Sequence, residues 1–196
     1  MDYDNDYSGW GNEVLYKMCA ERPLHDDVDT ITGKLWIIGR SYSAAIERKA
    51  GKDFRIEDAA EILIESEIDQ KIEELKKIDR PNNENIEVIL EAHKHVTDVL
   101  SKATGIEKRS LASKYLHCHS PRSVFIYDSI ANGNIRKRLN PIKPRFIVPK
   151  GFDGSYSSFA YRCIYYRDTV LEPELGKSAT PRRVDMELLG YGIPNK

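Results

Sequence analysis

The sequence predicts an all-α fold, because helical spacing recurs along the chain and strand patterns are scarce. Apolar residues return every three or four positions in successive stretches of the 196 residues, as in amphipathic helices. Residues 124–127 form a short apolar run that is too brief to found a sheet. Because no internal repeat is visible, we expect one helical domain over residues 10–196 after a loose tail at residues 1–9.

The first two predicted helices are separated by a turn. Apolar residues at helical spacing over residues 10–19 predict a helix that stops before Pro23. The aspartates and threonine of residues 26–30 supply the capping chemistry of a longer helix. We expect this helix to reach Lys49 and to end at Gly51.

The rest of the chain repeats the helical pattern, with one interruption. The remaining predicted helices span residues 56–78 (as one helix or two), 86–102, 107–119, 155–170 and a closing segment that begins at Thr180-Pro181. Thr180 fits an N-cap and Pro181 the first helical position. Three prolines and two glycines in residues 140–154 predict a proline-rich loop region.

Composition indicates a protein of the cytoplasm. Hydrophobic residues make up 40 % of the chain, which is enough for a core, and no apolar run approaches the roughly 18–20 residues of a membrane span. The acidic N-terminus lacks the apolar stretch of a signal peptide. The three cysteines are far apart and odd in number, so we expect a reducing compartment and no disulfide framework.

Charge is divided unevenly along the chain. Residues 1–100 carry 13 Lys and Arg against 23 Asp and Glu, whereas residues 101–196 carry 17 against 8. A basic half attracts polyanions through counterion release. The alternative is that the two halves pair with each other or are solvated surface.

Residues 93–116 have the outline of a helix-hairpin-helix. A short turn around Gly105 separates two helical stretches, and the amides at the start of the second helix can bind phosphate oxygens. The hydrogen-bond donors expected to contact DNA here are Lys102, Gly105, Lys108, Arg109 and Ser110. An ordinary turn between two helices, with Gly105 as its C-cap, is the alternative.

Asp128 ends the apolar run that follows this element. With Gly105 in the turn and Ala112 in the second helix, the arrangement resembles the helix-hairpin-helix DNA glycosylase superfamily. The closest likeness is to small bacterial oxoguanine-glycosylase-like proteins that are associated with anti-phage defence. The phrases that carry it are residues 35–42, 111–117, 125–129 and 183–190.

The resemblance implies an enzyme that flips a damaged or phage-modified base out of double-stranded DNA and hydrolyses its N-glycosidic bond. Asp128 would stabilise the positive charge that develops on the sugar; a helix N-cap is the other interpretation of this residue. Bifunctional members place a lysine near the start of the second helix, where this chain has Arg109-Ser110. Lys108 and Lys114 lie nearby but out of register with that lysine, Lys114 being the better alternative, so a monofunctional hydrolase is expected.

A flipped base needs a pocket with stacking surfaces and polar groups. The candidate pocket residues are Trp36, Arg40, Tyr42, Glu47, His117, Tyr127 and Ser129. For the aromatic residues the alternative is core packing, and for Arg40 and Glu47 it is a buried ion pair.

Arg136, Lys137 and Arg138 follow Asp128 and would hold phosphates beside the flipped nucleotide; a solvated patch is the alternative. The spacing of His117 and His119 does not suit a zinc site, and we expect no metal and no cofactor. One glycine of the family's hairpin is missing in residues 103–107. Two alternatives to an enzyme therefore stay open, a non-catalytic nucleic-acid-binding module and a structural partner in a defence complex.

Overall fold

The computed structural model describes residues 10–190, with side chains from residue 12 onward, and this part of the chain is all-α. The predicted tail at residues 1–9 lies outside the described residues. The helices are α1 Trp10–Glu21, α2 Val28–Ser41, α3 Ile56–Ile64, α4 Ile68–Lys76, α5 Ile86–Thr104, α6 Arg109–His119, α7 Ser129–Leu139, α8 Gly154–Tyr166, α9 Glu172–Leu175 and α10 Pro181–Leu188. A π-helical turn, Arg167–Leu171, joins α8 to α9.

Helix α6 is the most enclosed element of the fold. Every residue from Leu111 to His119 is buried, and the helix packs against α1, α2 and α5. Helix α5 in turn packs against α3, α4, α6 and α8. Polar side chains on α6 are therefore held in the interior, where their partners are fixed by neighbouring helices.

The predicted helix starts at residues 26–30 and at Thr180 are confirmed. The Asp27 carboxylate accepts the backbone N–H of Thr30 at 2.7 Å, and the Thr180 hydroxyl accepts that of Arg183 at 3.2 Å. Both contacts satisfy amides that lack a partner within the helix. Pro181 follows Thr180 as the first residue of α10.

The predicted end of α2 at Lys49 is wrong, because the helix ends at Ser41. Ser43 adopts a left-handed conformation (φ 54°), and the Ala44 amide turns back to donate to the Gly39 carbonyl at 2.7 Å. Gly39 permits this approach, since a Cβ there would lie 3.2 Å from Cα of Ala45. Residues 42–50 therefore fold back along the end of α2.

Residues 56–78 form two helices, because Ser66 breaks the pattern. Its hydroxyl donates to the Leu63 carbonyl at 2.8 Å and lies 3.3 Å from the Ile68 amide, which closes α3 and opens α4. Within residues 10–190, no helix has the length and apolar character needed to cross a membrane.

Candidate functional site

The turn between α5 and α6 is built on Gly105. This residue has φ of 69°, a left-handed conformation that favours glycine, and its amide donates to the Ser101 carbonyl at 2.8 Å. The Thr104 hydroxyl donates to the Leu100 carbonyl at 2.7 Å. Helix α6 then starts at Arg109 and carries its side chains towards α7.

Lys114 and Asp128 lie together although they are on different elements. The Lys114 Nζ atom is 3.6 Å from Oδ2 of Asp128, and it also donates to the Ser110 hydroxyl at 2.9 Å and the Tyr42 carbonyl at 3.1 Å. The Lys114 side chain is 3 % exposed and that of Asp128 is 27 % exposed. A molecule in solution therefore meets the carboxylate before it meets the amine.

Burial and the neighbouring carboxylates have opposite effects on the pKa of Lys114. Burial lowers the pKa of its ammonium group, while the carboxylates of Asp128 and Asp185 raise it. The face of the Tyr42 ring lies 5.8 Å from Nζ. The effect of burial is the larger, so the pKa of Lys114 lies below that of an ordinary lysine.

Asp128 also caps α7, as the alternative interpretation expected. Its Oδ1 atom accepts the backbone N–H groups of Ile130 at 2.7 Å and of Ala131 at 3.2 Å. This leaves Oδ2 for the contact with Lys114. The two interpretations of Asp128 are therefore compatible, because each uses a different oxygen.

Two serines of α6 fix the segment that leads to Asp128. The Tyr127 amide donates to the Ser113 hydroxyl at 2.9 Å, and the Ser110 hydroxyl lies 3.1 Å from the Tyr127 carbonyl. Ser110, Ser113 and Lys114 share one face of the helix, being three and four residues apart. One face of α6 thus positions both the Asp128 backbone and its ion partner.

The other predicted pocket residues fall into separate places. Tyr42 and Tyr127 adjoin the Lys114–Asp128 pair, and Ser129 is exposed at the start of α7. His117 is fully buried, and its ring nitrogens contact the Val124 carbonyl at 2.7 Å and the Tyr16 hydroxyl at 2.8 Å. With both nitrogens engaged, His117 supports the interior and is not placed to meet a substrate.

Trp36 and Arg40 lie on the outer side of α2, and Glu47 lies in the segment that follows this helix. Arg40 forms an ion pair with Glu47, and its guanidinium lies over the Trp36 ring at 5.6 Å. Trp36 is 50 % exposed, and the buried face of α2 is the opposite one, which includes Leu35 and Ile38. The structure therefore does not bring these three residues to the Lys114–Asp128 pair.

Several predicted DNA contacts are used inside the molecule. The Lys108 ammonium is buried and donates to the Arg48 carbonyl at 2.5 Å. Arg109 pairs with Asp153 and, at 2.9 Å, with Glu107. Arg138 donates to the Tyr166 hydroxyl at 2.8 Å and the Glu187 carbonyl at 2.9 Å. Of the predicted contacts, Lys102, Arg136, Lys137 and Arg138 are exposed, although Arg138 is already bonded within the molecule, and Ser110 is half-buried.

Asp185 was missed by the sequence analysis. It is buried on α10 and pairs with Arg182 at 2.5 Å. Burial raises its pKa to about 6, against the opposing charges of Arg182 and Lys114. A signal was present: the Thr180-Pro181 cap sets the helical register and puts Asp185 on the stripe shared by Val184 and Leu188.

Among residues 10–190, no group of three His, Cys, Asp or Glu side chains is arranged to hold a metal ion. Comparisons with family models, with curated proteins and with solved structures find no match for this chain. Chemically, the site offers a half-exposed carboxylate at a helix N-terminus with a covered ammonium group beside it. Such a pair can stabilise a developing positive charge and orient a water molecule.

Proposed function

We propose that this protein is a DNA glycosylase that flips a damaged or phage-modified base and hydrolyses its N-glycosidic bond, in anti-phage defence or DNA repair. The observation that carries the proposal is the distance of 3.6 Å between Nζ of Lys114, on the helix that follows the Gly105 turn, and Oδ2 of Asp128. The motif resemblance of residues 111–117 and 125–129 to helix-hairpin-helix glycosylases supports it.

The chemistry follows from the partly exposed carboxylate of Asp128. As the bond between sugar and base lengthens, positive charge builds on the sugar, and a nearby carboxylate lowers the energy of that state. The base departs with the bonding electrons, water adds to the anomeric carbon, and the proton that this water loses ends on the departed base. Because Lys114 is covered, its role in this proposal is to hold the Asp128 carboxylate, which agrees with a monofunctional hydrolase.

DNA would approach over the exposed cations of α5 and α7. Lys102 lies in the last turn of α5, beside the amides of the Gly105 turn, and Arg136 and Lys137 lie in the last turn of α7. Such residues hold phosphates and set the position of the duplex without reading its sequence.

The test is a cleavage assay on unmodified, oxidised and phage-modified duplex DNA, followed by hot alkali to break abasic sites. We expect alkali-dependent breaks on one substrate class and their loss in Asp128→Asn. The matched control is Asp27→Asn, which also exchanges a capping aspartate for another good cap. Breaks that persist in Asp128→Asn would rule out the carboxylate as the catalytic group.

A nucleic-acid-binding module without chemistry is the second candidate. Both members of the Lys114–Asp128 pair already have structural partners, which favours this candidate. Asp128 caps α7, and Lys114 donates to two further oxygen atoms. DNA binding by the wild-type protein with no breaks on any substrate would select this candidate over the enzyme.

A further inference from the structure

The acidic half of the chain contains a basic segment, residues 40–55, which contacts the start of α6. Residues 40–55 hold five Lys and Arg against two Asp and Glu, although residues 1–100 together have a charge of −10. The Arg40, Arg48, Lys49, Lys52 and Arg55 residues are all exposed. The positive surface therefore does not begin at residue 101 but includes this segment.

Two buried lysines hold the segment against α6 through its main chain. Lys108 donates to the Arg48 carbonyl at 2.5 Å, and Lys114 donates to the Tyr42 carbonyl at 3.1 Å. The same lysine thus contacts both Asp128 and the segment. Nucleic acid bound at Asp128 would pass close to residues 42–50.

A cavity lies between this segment and the end of α2. It has a volume of about 340 Å3 and is lined by Gly39, Arg40, Ser43, Ala45, Glu47 and Arg48. It is open to solvent, and it brings Arg48 to the same part of the surface as Arg40. Glu47 holds the Arg40 guanidinium by an ion pair, so that the guanidinium keeps its place over Trp36.

An exposed tryptophan beside a stacked arginine is an unusual surface. Trp36 keeps 50 % of its surface exposed, at a cost in apolar hydration that packing would have removed. Aromatic rings and arginine planes are the surfaces on which unpaired bases stack, and nearby cations hold the phosphates. All three components are present at this end of α2.

We propose that Trp36 and Arg40 form a stacking site for an unpaired nucleobase, with Arg48 on its phosphate. The ligand is a single nucleotide of DNA that is distinct from the base cut at Asp128. A nucleobase ligand presupposes the DNA substrate of the proposed function. Stacking is tolerant of sequence, so we expect little discrimination between the four bases.

The test compares two single-stranded oligomers of about eight residues, oligothymidylate and an oligomer of abasic residues with the same phosphates. The chain has two tryptophans, so Trp36 is the sole one in a Trp10→Phe protein. We expect oligothymidylate, but not the abasic oligomer, to quench Trp36 fluorescence. Oligothymidylate should also bind about tenfold more tightly than the abasic oligomer.

Variants are measured by anisotropy of labelled oligomers. Trp36→Ala should lose about tenfold in affinity for oligothymidylate and nothing for the abasic oligomer, whereas Trp36→Phe retains most of the affinity. Arg48→Gln should weaken both oligomers alike, as loss of a phosphate contact does. Ile37→Ala, at the neighbouring exposed residue of α2, is the control and should change neither.

Equal binding of the two oligomers, or a Trp36→Ala protein that binds as the wild type does, would overturn the stacking site. Asp128→Asn should retain the quenching of Trp36. Quenching without any DNA cleavage would reject the glycosylase and keep the stacking site, and cleavage without base-dependent binding would do the reverse.

Discussion

Lys114 contacts one carboxylate oxygen of Asp128, Oδ2, while the other oxygen, Oδ1, caps α7 by accepting the amides of Ile130 and Ala131. Substitution separates these two contacts. Asn retains a side-chain oxygen that can cap the helix, whereas Ala retains neither contact.

We therefore predict that Asp128→Ala has a lower free energy of unfolding than Asp128→Asn by about 1 kcal/mol. Both substitutions remove the charge beside Lys114, so their difference isolates the cap. Urea denaturation of the two proteins measures it. Equal stabilities would show that Asp128 does not stabilise α7 as a cap.

Gly39 and Gly33 lie on the same helix and should respond oppositely to alanine. A Cβ at Gly39 would lie 3.2 Å from Cα of Ala45 and 3.3 Å from the Ala44 carbonyl oxygen, whereas the space around Gly33 is open. We expect Gly39→Ala to lower the free energy of unfolding by about 1–3 kcal/mol. Gly33→Ala should raise it by up to about 1 kcal/mol, because alanine favours helix. Chemical denaturation checks both, and a stabilised Gly39→Ala would show that residues 44 and 45 are not held against α2.

His93 should make the fold sensitive to acid. Burial lowers its pKa to about 4, and its ring stacks on Tyr156 with centroids 3.6 Å apart. The unfolded chain binds a proton near pH 6.5, so stability is present above that pH and is lost as the pH falls towards 4.

We expect His93 alone to contribute roughly 2–3 kcal/mol to this loss. In His93→Gln, thermal stability should fall less steeply between pH 7 and pH 4.5, because unfolding takes up about one proton fewer than in the wild type. Melting temperatures across this range measure the effect. A His93→Gln protein with the pH dependence of the wild type would refute the assignment.

Asp185 should have the opposite effect to His93 on the pH dependence of stability. Its pKa of about 6, raised by burial, lies above that of an aspartate in the unfolded chain, so the folded state binds the proton more tightly. Its contribution to stability is present below about pH 4 and is lost as the pH rises through 6.

Asp185→Asn should therefore gain roughly 1–3 kcal/mol relative to the wild type on going from pH 4 to pH 8, because the pKa of about 6 already includes the effect of Arg182. Glu187→Gln, on the same helix and paired with Arg183 at 2.6 Å, is the matched control. Urea denaturation at the two pH values would disprove the prediction if Asp185→Asn and Glu187→Gln behaved alike.

Local chemistry made much of this fold predictable. Asp27 and Thr180 cap their helices because the capping contact involves only the next three residues. The turn at Gly105 was predictable for the same reason, since a glycine just after a stretch of apolar residues at helical spacing commonly ends a helix. The motif resemblance singled out Lys114 and Asp128, but their contact was not predicted, because the two residues are on separate elements.

Contacts made across the fold could not be predicted in this way. The early end of α2 depends on how closely residues 44 and 45 approach Gly39, which no periodicity reveals. Lys108 and Arg109 have the composition of a DNA-binding turn, yet their partners are the Arg48 carbonyl and Asp153. A basic side chain in a sequence does not disclose whether its partner is a phosphate or another part of the chain.

The attachment of residues 42–50 has a consequence for substitutions in this segment. Lys108 and Lys114 bind this segment through the main-chain carbonyls of Arg48 and Tyr42, and every amino acid supplies such a carbonyl. The exposed side chains of the segment can therefore be exchanged without loss of these two contacts, whereas Ile46 is fully buried in the core. The surface chemistry of this segment is therefore separable from the packing of α6.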